Sequence, residues 1–333
     1  MTARRPWKWP ENGGKNGGDF DQSQRENGGT LGRGRAWACA PRHASRKAKG
    51  LHPSPGAKKF AGQVRKTAGN HSCEKFSPWR NLNLTRDSVQ RQIRLHHGDC
   101  LVGMSRVGTG SVDLILCDLP YGTTNCAWDT VLPFQPLWEQ YRRVLKPRGA
   151  VVLTATQPFA TELINSARNL FRYDLVWDKQ RTVGFAQCRR QPLRAHELIL
   201  VFYRRQPVYN PQGLIQLEKP RRRPARQKGG NVYHGLNREC IQEYTNYPRS
   251  ILRFPFRGRR EHPTQKPLEM MEYLIRTFTD PGGLVMDNCM GSGTTAVAAL
   301  NSGRRFVGFE LDERYYKIAC RRVAERAAEL TGK

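Results

Sequence analysis

From residue 93 onward, apolar runs of strand length alternate with segments that carry apolar residues at helical spacing. Strands are predicted at QIRLHHGD, SVDLILCDLPYG, AVVLTATQPF, RYDLVWDK, HELILVFYRR, GLVMDNCMGSG and RRFVGFELD. Helices are predicted at PFQPLWEQYRRVLKPRG, ATELINSARNLF, PLEMMEYLIRTFT, TTAVAALNSG and ERYYKIACRRVAERAAEL. Apolar strands that alternate with helices indicate an α/β domain whose mostly parallel sheet is covered on both faces.

Two basic segments lie outside this alternation of strands and helices. Residues 204–260 hold 14 Lys/Arg against 3 Asp/Glu, and we interpret them as an insertion between the halves 93–203 and 261–333 of one domain. Residues 1–92 hold 19 Lys/Arg against 6 Asp/Glu and almost no periodic apolar positions. Such a segment buries too little apolar surface to offset the entropy of ordering, so a disordered basic extension is predicted there.

The charge of the chain favours a polyanionic partner. The formal net charge is +28, and residues 93–333 alone carry 37 basic and 22 acidic residues, a surplus of +15. Nucleic acid is favoured over a membrane surface, because no basic amphipathic helix stands out. No apolar run approaches the roughly 20 residues that cross a bilayer. The nine cysteines form no C-x-x-C pair and no histidine completes a zinc pattern. A reduced, cytoplasmic protein without a metal ion is therefore predicted.

The segment VMDNCMGSGTTAVAALNSGRRFVGFELD predicts a cofactor site of the strand, glycine turn, helix, strand type. Asp287 ends the first strand, Gly291 and Gly293 form the turn, and Glu310 ends the second strand, where an acid suits ribose hydroxyls. No lysine follows the glycines, which argues against a phosphate-binding loop. A dinucleotide stays open, with Ala296 in the place of a third glycine. Because Asp287 would attract an ammonium group, S-adenosylmethionine is favoured.

The first and last strands of the predicted domain are expected to lie side by side. Only one helix follows Glu310. A site of this type needs a further strand beside the strand that ends at Glu310, and this further strand carries a side chain that contacts the adenine ring. The strand QIRLHHGD, which ends at Asp99, is available at the other end of the domain. The expected architecture is therefore a circularly permuted Rossmann-like domain.

The stretch CDLPYG places a carboxylate, a proline and an aromatic ring at the end of an apolar strand. DLPY at 118–121, the basic insertion, HPTQKP at 262–267 and DNCMGSGTT at 287–295 occur in one order along the chain. In that order they resemble the beta-class DNA amino-methyltransferases, which modify adenine N6 or cytosine N4, and the similarity extends over residues 93–326. Leu119 stands where the family usually has proline, and Cys289 where it commonly has phenylalanine.

The resemblance implies an amine-methylating site at 118–121. Hydrogen bonds from an exocyclic amino group to Asp118 and to the carbonyl oxygen of Leu119 would free the nitrogen lone pair for in-line attack on a sulfonium methyl group. Pro120 would fix the backbone, and Tyr121 would stack on a base turned out of the duplex.

The resemblance also assigns the cofactor contacts. It implies Asp99 for the adenine amino group, Glu310 for the ribose, and Thr264 and Lys266 for the methionine carboxylate. The remaining expected cofactor-binding residues are Asp287, Gly291, Gly293 and Thr294. Trp128 and Phe159 are candidates for the lining of the base pocket, with core packing as the alternative.

The basic insertion is the predicted target-recognition region for double-stranded DNA. Arginines grip phosphates and read guanine edges. The expected DNA contacts are Arg221, Arg222, Arg223, Arg226 and Lys228, with Tyr233, Tyr244 and Tyr247 as stacking candidates. The alternative is a mobile phosphate-binding loop without sequence preference.

Four functions are compatible with these motifs. An aspartate at position 118 favours adenine N6 as the methylated atom, because cytosine-N4 enzymes more often begin the tetrapeptide with serine. The others are methylation of cytosine N4, methylation of structured RNA, and nucleic-acid binding without catalysis. The resemblance further implies that a homodimer can form.

Overall fold

The structure is a computed structural model that describes residues 92–332, apart from 124–125, 127–128, 225–238 and 259. Several predictions fall on other residues and so lie outside the described part: the disorder of 1–91, and the roles of Trp128, Arg226, Lys228 and Tyr233.

Ten strands alternate with six α-helices in the described residues. The strands are β1 Ile93–His97, β2 Val112–Asp118, β3 Leu145–Ala155, β4 Phe171–Val183, β5 Arg194–Phe202, β6 Ile215–Arg223, β7 Cys240–Thr245, β8 Ile251–Arg253, β9 Leu284–Asp287 and β10 Arg305–Glu310. The helices are α1 Cys100–Ser105, α2 Phe134–Val144, α3 Phe159–Ser166, α4 Leu268–Phe278, α5 Thr294–Asn301 and α6 Glu313–Thr331.

Eight of these strands form one mixed, mostly parallel sheet in the order β1–β10–β9–β2–β3–β5–β4–β8. Neighbouring strands are parallel except at β5, which is antiparallel to both β3 and β4. The predicted α/β class is confirmed.

The predicted circular permutation is also confirmed. β1 pairs in parallel with β10, with Ile93 opposite Phe306 and His97 opposite Glu310. The first strand of the domain therefore completes the sheet beside the last one, and places Asp99 next to the end of β10.

Alternate residues of β2 show why the central strands are apolar throughout. Leu114 and Leu116 pack into the cluster that includes α4 and α5. Ile115 and Cys117 point to the other face, into the cluster that includes α1, α2 and α3. Because successive strand side chains face opposite ways, a sheet covered on both faces needs apolar residues at every position.

The basic insertion contains regular structure that the sequence pattern did not predict. β6 and β7 form a separate two-stranded antiparallel sheet, with Ile215 opposite Thr245. β8 joins the large sheet beside β4, so the chain returns to the main fold before residue 260. The boundaries at 204 and 260 stay predictions.

Helix α2 ends earlier than predicted. The pattern predicts one helix through Gly149, but α2 ends at Val144 and β3 begins at Leu145, which pairs with Val112 of β2. Pro147 cannot donate the backbone hydrogen bond that a helix interior requires, which is consistent with the early end.

No helix of the described residues is both long enough and apolar enough to span a membrane.

Candidate active site

The acidic residues predicted at strand ends lie on one edge of the sheet. β2, β9 and β10 are parallel, so their carboxyl ends, which carry Asp118, Asp287 and Glu310, meet there. Asp99 follows β1 at the same edge, and its Oδ1 accepts a hydrogen bond from the Val102 backbone N–H at 2.9 Å, which caps α1.

A cavity of about 490 Å³ opens at this edge. Its volume lies in the range of small-molecule sites, roughly 300–1,000 Å³. It is lined by residues from both distant motifs, namely Asp99, Asp118, Leu119, Pro120, Tyr121, Thr264, Lys266, Asp287, Gly291, Thr294 and Glu310. The structure therefore brings the DLPY and glycine motifs together.

The glycine turn needs both of its glycines, for different reasons. Gly291 has φ 53° and Gly293 φ 78°, in the left-handed region that favours glycine. A Cβ on Gly293 would lie 2.8 Å from the Ala319 Cβ of α6, so this residue permits close packing and does not itself line the cavity. The Gly291 backbone N–H donates to Glu310 Oε2 at 2.7 Å, so the acid at the end of β10 braces the turn.

Asp287 is held beneath the turn with 3 % of its surface exposed. Its Oδ1 accepts from the Cys289 backbone N–H at 3.1 Å and its Oδ2 from the Thr295 hydroxyl at 2.6 Å. Burial raises the pKa of Asp287 to about 6. The neighbouring Thr294 hydroxyl instead accepts from Arg322 of α6 at 3.1 Å.

The Asp118 carboxylate is surrounded by hydrogen-bond donors. Its Oδ1 accepts from the Tyr121 hydroxyl at 2.6 Å and from the Thr154 hydroxyl, and its Oδ2 accepts from the Lys266 ammonium group. Burial raises the pKa of Tyr121 well above its usual value, so the phenol stays protonated and donates. A carboxylate has about four acceptor sites, so roughly one remains for a further donor.

Lys266 lines the cavity and is paired with acidic side chains of the protein itself. Its ammonium group pairs with Asp118, lies 3.4 Å from Glu197 Oε2 and is 3.4 Å from the Thr264 carbonyl oxygen. Asp118 is the nearest of these partners, because a buried ammonium group needs a negative charge close to it. The contact of Lys266 with a cofactor carboxylate stays a prediction.

Glu197 and Lys179 extend this buried charge network. Lys179 Nζ lies 2.5 Å from Glu197 Oε1, and the side chains of Glu197 and Lys266 are 11 % and 6 % exposed. Burial alone would raise the pKa of Glu197, but Lys266 and Lys179 outweigh it and hold the pKa below its usual value. Burial alone would lower the pKa of Lys266, but Asp118 and Glu197 outweigh it and raise the pKa.

The sequence analysis missed three residues of this network: Thr154, Lys179 and Glu197. Two signals were present, because Lys179 follows the apolar stretch LVW in β4 and Glu197 directly precedes the apolar stretch LILVF in β5. Their meaning depends on the antiparallel pairing of β4 with β5, which faces Trp177 with Glu197.

The HPTQKP segment forms one wall of the cavity. The Thr264 hydroxyl lies 3.0 Å from His262 Nδ1, and the His262 ring packs 4.1 Å from the Tyr315 ring. Burial lowers the pKa of His262 to about 4, so the ring is neutral at physiological pH. Pro267 immediately precedes α4, in agreement with the expected helix start.

Phe159 does not line the cavity, contrary to one of the two predicted roles. It is 3 % exposed and packs behind Tyr121 at a centroid distance of 5.1 Å. Phe159 therefore has the alternative role, core packing: its ring supports the Tyr121 ring from the protein interior. The loop beyond Tyr121 is closed by Asp129, whose carboxylate accepts from the Gly122 and Thr123 backbone N–H groups at 2.9 Å each.

Three cysteines lie at or near the cavity: Cys100 and Cys289 line it, and Cys117 is buried in β2. Burial raises the pKa of Cys117 to about 12, so this thiol stays protonated. The Asn288 amide nitrogen lies 3.7 Å from the Cys100 sulfur and 3.4 Å from the Cys289 sulfur. Within the described residues, no cluster of three or more His, Cys, Asp or Glu side chains could hold a metal ion.

The described DNA-contact candidates do not line the cavity. Arg221, Arg222 and Arg223 lie on β6 and are exposed. Arg222 pairs with Glu239, and Arg223 Nε donates to Gln242 Oε1 at 2.8 Å. Tyr244 and Tyr247 are 36 % and 53 % exposed nearby in the chain.

Comparison with known proteins agrees with this geometry. The sequence matches the DNA methylase family over residues 112–321. It is 28% identical over 245 residues to the DNA adenine methyltransferase YhdJ of Escherichia coli (strain K12), across 68% of this chain and 81% of that protein. It is 25% identical over 247 residues to the type II methyltransferase M1.MboII of Moraxella bovis, across 68% and 94%.

A solved structure shares the fold. The PvuII DNA methyltransferase, described as cytosine-N4-specific, matches with a TM-score of 0.51 at 14% identity, across 72% of this chain and 93% of that chain. The family match covers more than half of the sequence and confirms the predicted family. The chain therefore belongs to the DNA methylase family, the S-adenosylmethionine-dependent amino-methyltransferases that modify adenine N6 or cytosine N4 in DNA.

Proposed function

We propose that the protein methylates the exocyclic N6 of adenine in double-stranded DNA, on a base that has been turned out of the duplex. The observation that carries the proposal is the shared cavity, in which Asp118 and the glycine turn at Gly291 face the same space. A duplex hides the reacting atom, so the base must leave the stack to reach this cavity.

The residues of the cavity fit S-adenosylmethionine. A carboxylate at Asp287 suits the cofactor's ammonium group, Glu310 suits the ribose hydroxyls, and Asp99 suits the adenine amino group. Thr264 and Lys266, which both line the cavity, are the candidates for the cofactor carboxylate. When bound, S-adenosylmethionine supplies a methyl group on a sulfonium, which an amine nitrogen can attack.

Asp118 and Leu119 would prepare the amine for this reaction. The lone pair of a base amino group is delocalised into the ring, which makes the nitrogen a poor nucleophile. Hydrogen bonds accepted by the Asp118 carboxylate and by the Leu119 carbonyl oxygen would pull the nitrogen towards tetrahedral geometry. Positioning of this kind is the main contribution that the chain makes to the rate.

The buried network would hold the Asp118 carboxylate in the orientation that accepts a hydrogen bond from the base amino group. Lys266 neutralises its charge, and the hydroxyls of Tyr121 and Thr154 fix its orientation. Tyr121 lines the cavity while its hydroxyl bonds Asp118, so we propose that it stacks on the base and orients the carboxylate at the same time.

Two observations support adenine as the target. The tetrapeptide begins with Asp118, and the relative YhdJ is described as a DNA adenine methyltransferase. The fold itself does not distinguish adenine from cytosine as the target, because the PvuII DNA methyltransferase, described as cytosine-N4-specific, shares it. Methylation of cytosine N4 is therefore the alternative that the experiment must separate.

The experiment is transfer from a methyl-labelled cofactor to unmethylated bacteriophage DNA, followed by digestion to nucleosides and chromatography. The proposal predicts label in N6-methyldeoxyadenosine. Label in N4-methyldeoxycytidine would assign the alternative, and label only in a parallel RNA sample would reject a DNA substrate. A protein that binds DNA but transfers no label would reject catalysis.

Cofactor affinity is expected to fall as the pH drops through about 6. Asp287 has a pKa raised to about 6, so it is neutral below that pH and a carboxylate above it. An ammonium group needs the carboxylate, so affinity decreases by up to about tenfold for each pH unit below 6. Calorimetric titration with S-adenosylmethionine at several pH values between about 5 and 8 measures how the cofactor affinity depends on pH.

The Asp287→Asn variant is the test of that assignment. It should bind the cofactor more weakly at neutral pH and lose the pH dependence, while Asp280→Asn, at an exposed aspartate, should behave as the wild type. A variant D287N with an unchanged pH profile would show that another group titrates.

The segment 204–260 is proposed as the target-recognition region, and its arginines should grip DNA phosphates. Replacing Arg221, Arg222 and Arg223 with alanine is expected to weaken DNA binding and to reduce the slope of log K against log salt by up to about 3. Fluorescence anisotropy across a salt series measures both. Unchanged affinity and slope would remove β6 from the interface.

A further inference from the structure

The hairpin that joins β4 to β5 projects from the same edge of the sheet as Asp118. β5 is antiparallel to both β3 and β4, so β4 runs in the direction of β3 and of its parallel neighbour β2. The carboxyl end of β4, at Val183, therefore lies on the side of the sheet where the cavity opens.

Ion pairs link the base of this hairpin to the Asp118 carboxylate. Lys179 of β4 pairs with Glu197 of β5, Glu197 contacts Lys266, and Lys266 bonds Asp118. Val183 lies four residues beyond Lys179, past a register irregularity between Asp178 and Val183. The tip is therefore carried by a base that buried ion pairs hold in place.

The hairpin carries only positive charge and is exposed. Residues 180–192 are all exposed, and no acidic residue occurs from 179 to 196. Its basic residues are Lys179, Arg181, Arg189, Arg190 and Arg194. In the part of the chain that the structure describes, the side chains of Arg189 and Arg190 form no ion pair or hydrogen bond, so they are available to phosphates.

A second basic segment borders the hairpin. Arg260, shortly before HPTQKP, stacks over the Phe256 ring at 4.6 Å. Burial and the positive charge of Arg181 both lower the pKa of Arg260. Such a concentration of cations beside the cavity matches a phosphate backbone.

Phe185 stands at the tip of this basic hairpin. It begins the 3₁₀ turn Phe185–Gln187, after Gly184 with φ 87°. At 79 % it has the largest exposed fraction of any large apolar side chain in the described residues. An aromatic ring held in water among arginines suits a partner that offers phosphates outside and stacked rings inside.

We propose that the hairpin 180–194 is a second DNA contact and that Phe185 enters the base stack at the place that the target base leaves. The inference rests on the proposed function, since it requires a base turned out of duplex DNA. Apolar side chains that insert between base steps replace part of the lost stacking, and the flanking arginines hold the backbone on either side.

The test compares methylation of two duplexes that contain the recognition site found by sequencing methylated bacteriophage DNA. One is fully paired, and the other has an abasic position opposite the target base, which makes base extrusion easier. We expect Phe185→Ala to slow methylation of the paired duplex by about tenfold or more, and to retain the wild-type rate on the abasic duplex. Phe185→Trp should keep the wild-type rate on both.

Three outcomes would overturn the inference. F185A could be as active as the wild type on the paired duplex, it could lose activity equally on both duplexes, or it could change the oligomeric state without changing methylation. A wild-type protein that labels no DNA would contradict the proposed function and this inference together. An active wild type with an equally active F185A would contradict the inference alone.

Discussion

Replacing Asp118 with alanine is expected to lower the rate of methyl transfer by about 10³-fold or more, because the interaction lost is one that acts on the reacting amine. Asp118 lines the same cavity as the glycine turn, and it accepts hydrogen bonds from Tyr121 and Thr154 of its own half and from Lys266 of the other half. Cofactor affinity should therefore stay close to the wild-type value. Single-turnover transfer and calorimetric titration measure the two quantities separately.

A matched control is available on the same sheet. Asp174 is an exposed aspartate of β4, so Asp174→Ala should leave both transfer and cofactor affinity unchanged. A fully active D118A variant would remove the proposed role of this carboxylate. A variant D118A that lost cofactor binding as well would place Asp118 in the cofactor site instead.

Replacing Lys266 with methionine is expected to have the second largest effect, on both stability and rate. The change leaves Asp118 and Glu197 without the cation that lies between them in a largely buried site. Removing one partner of a buried ion pair typically costs about 3–5 kcal/mol of unfolding free energy. The transfer rate should fall by roughly 10²-fold, because Asp118 loses the cation that holds its carboxylate in position for the amine.

A double-mutant cycle distinguishes this network from a general packing defect. Glu197→Gln removes the second carboxylate, so K266M combined with E197Q should lose less unfolding free energy than the sum of the two single variants. Urea unfolding of the four proteins measures the coupling. Additive losses would show that Lys266 and Glu197 do not depend on each other.

The same network predicts how stability depends on pH. The pKa of Glu197 is lower in the folded protein than its usual value, because Lys266 and Lys179 outweigh the effect of burial. The ion pairs therefore stabilise the fold above the usual glutamate pKa, and this contribution is lost as the pH falls through the lowered value. E197Q should lack that acidic loss, which urea unfolding at several pH values would detect.

The sequence predicted those parts of the site that follow from strand ends. Asp118, Asp287 and Glu310 each end an apolar run, and parallel strands bring their carboxyl ends to one edge. The permuted closure followed from the same reasoning, since β10 needed a neighbour and the strand that ends before Asp99 was free to supply it.

The remaining parts depend on contacts that a linear pattern does not contain. Thr154, Lys179 and Glu197 reach Asp118 through the pairing of β3, β5 and β4, in which β5 runs against its neighbours. Lys266 was assigned to the cofactor carboxylate because of its charge, and the structure adds ion pairs with Asp118 and Glu197. These pairs could not be predicted from the sequence, because they form only when the strands are placed side by side.

The most direct test of the central claim is the structure of the protein crystallised with S-adenosylhomocysteine, the product that the reaction leaves. The predicted result is the ligand in the cavity between the two motifs, with its amino group at Asp287, its ribose at Glu310 and its sulfur directed at the Asp118 carboxylate. A ligand whose sulfur pointed away from Asp118, or that bound outside this cavity, would contradict the claim that one cleft brings amine and methyl donor together.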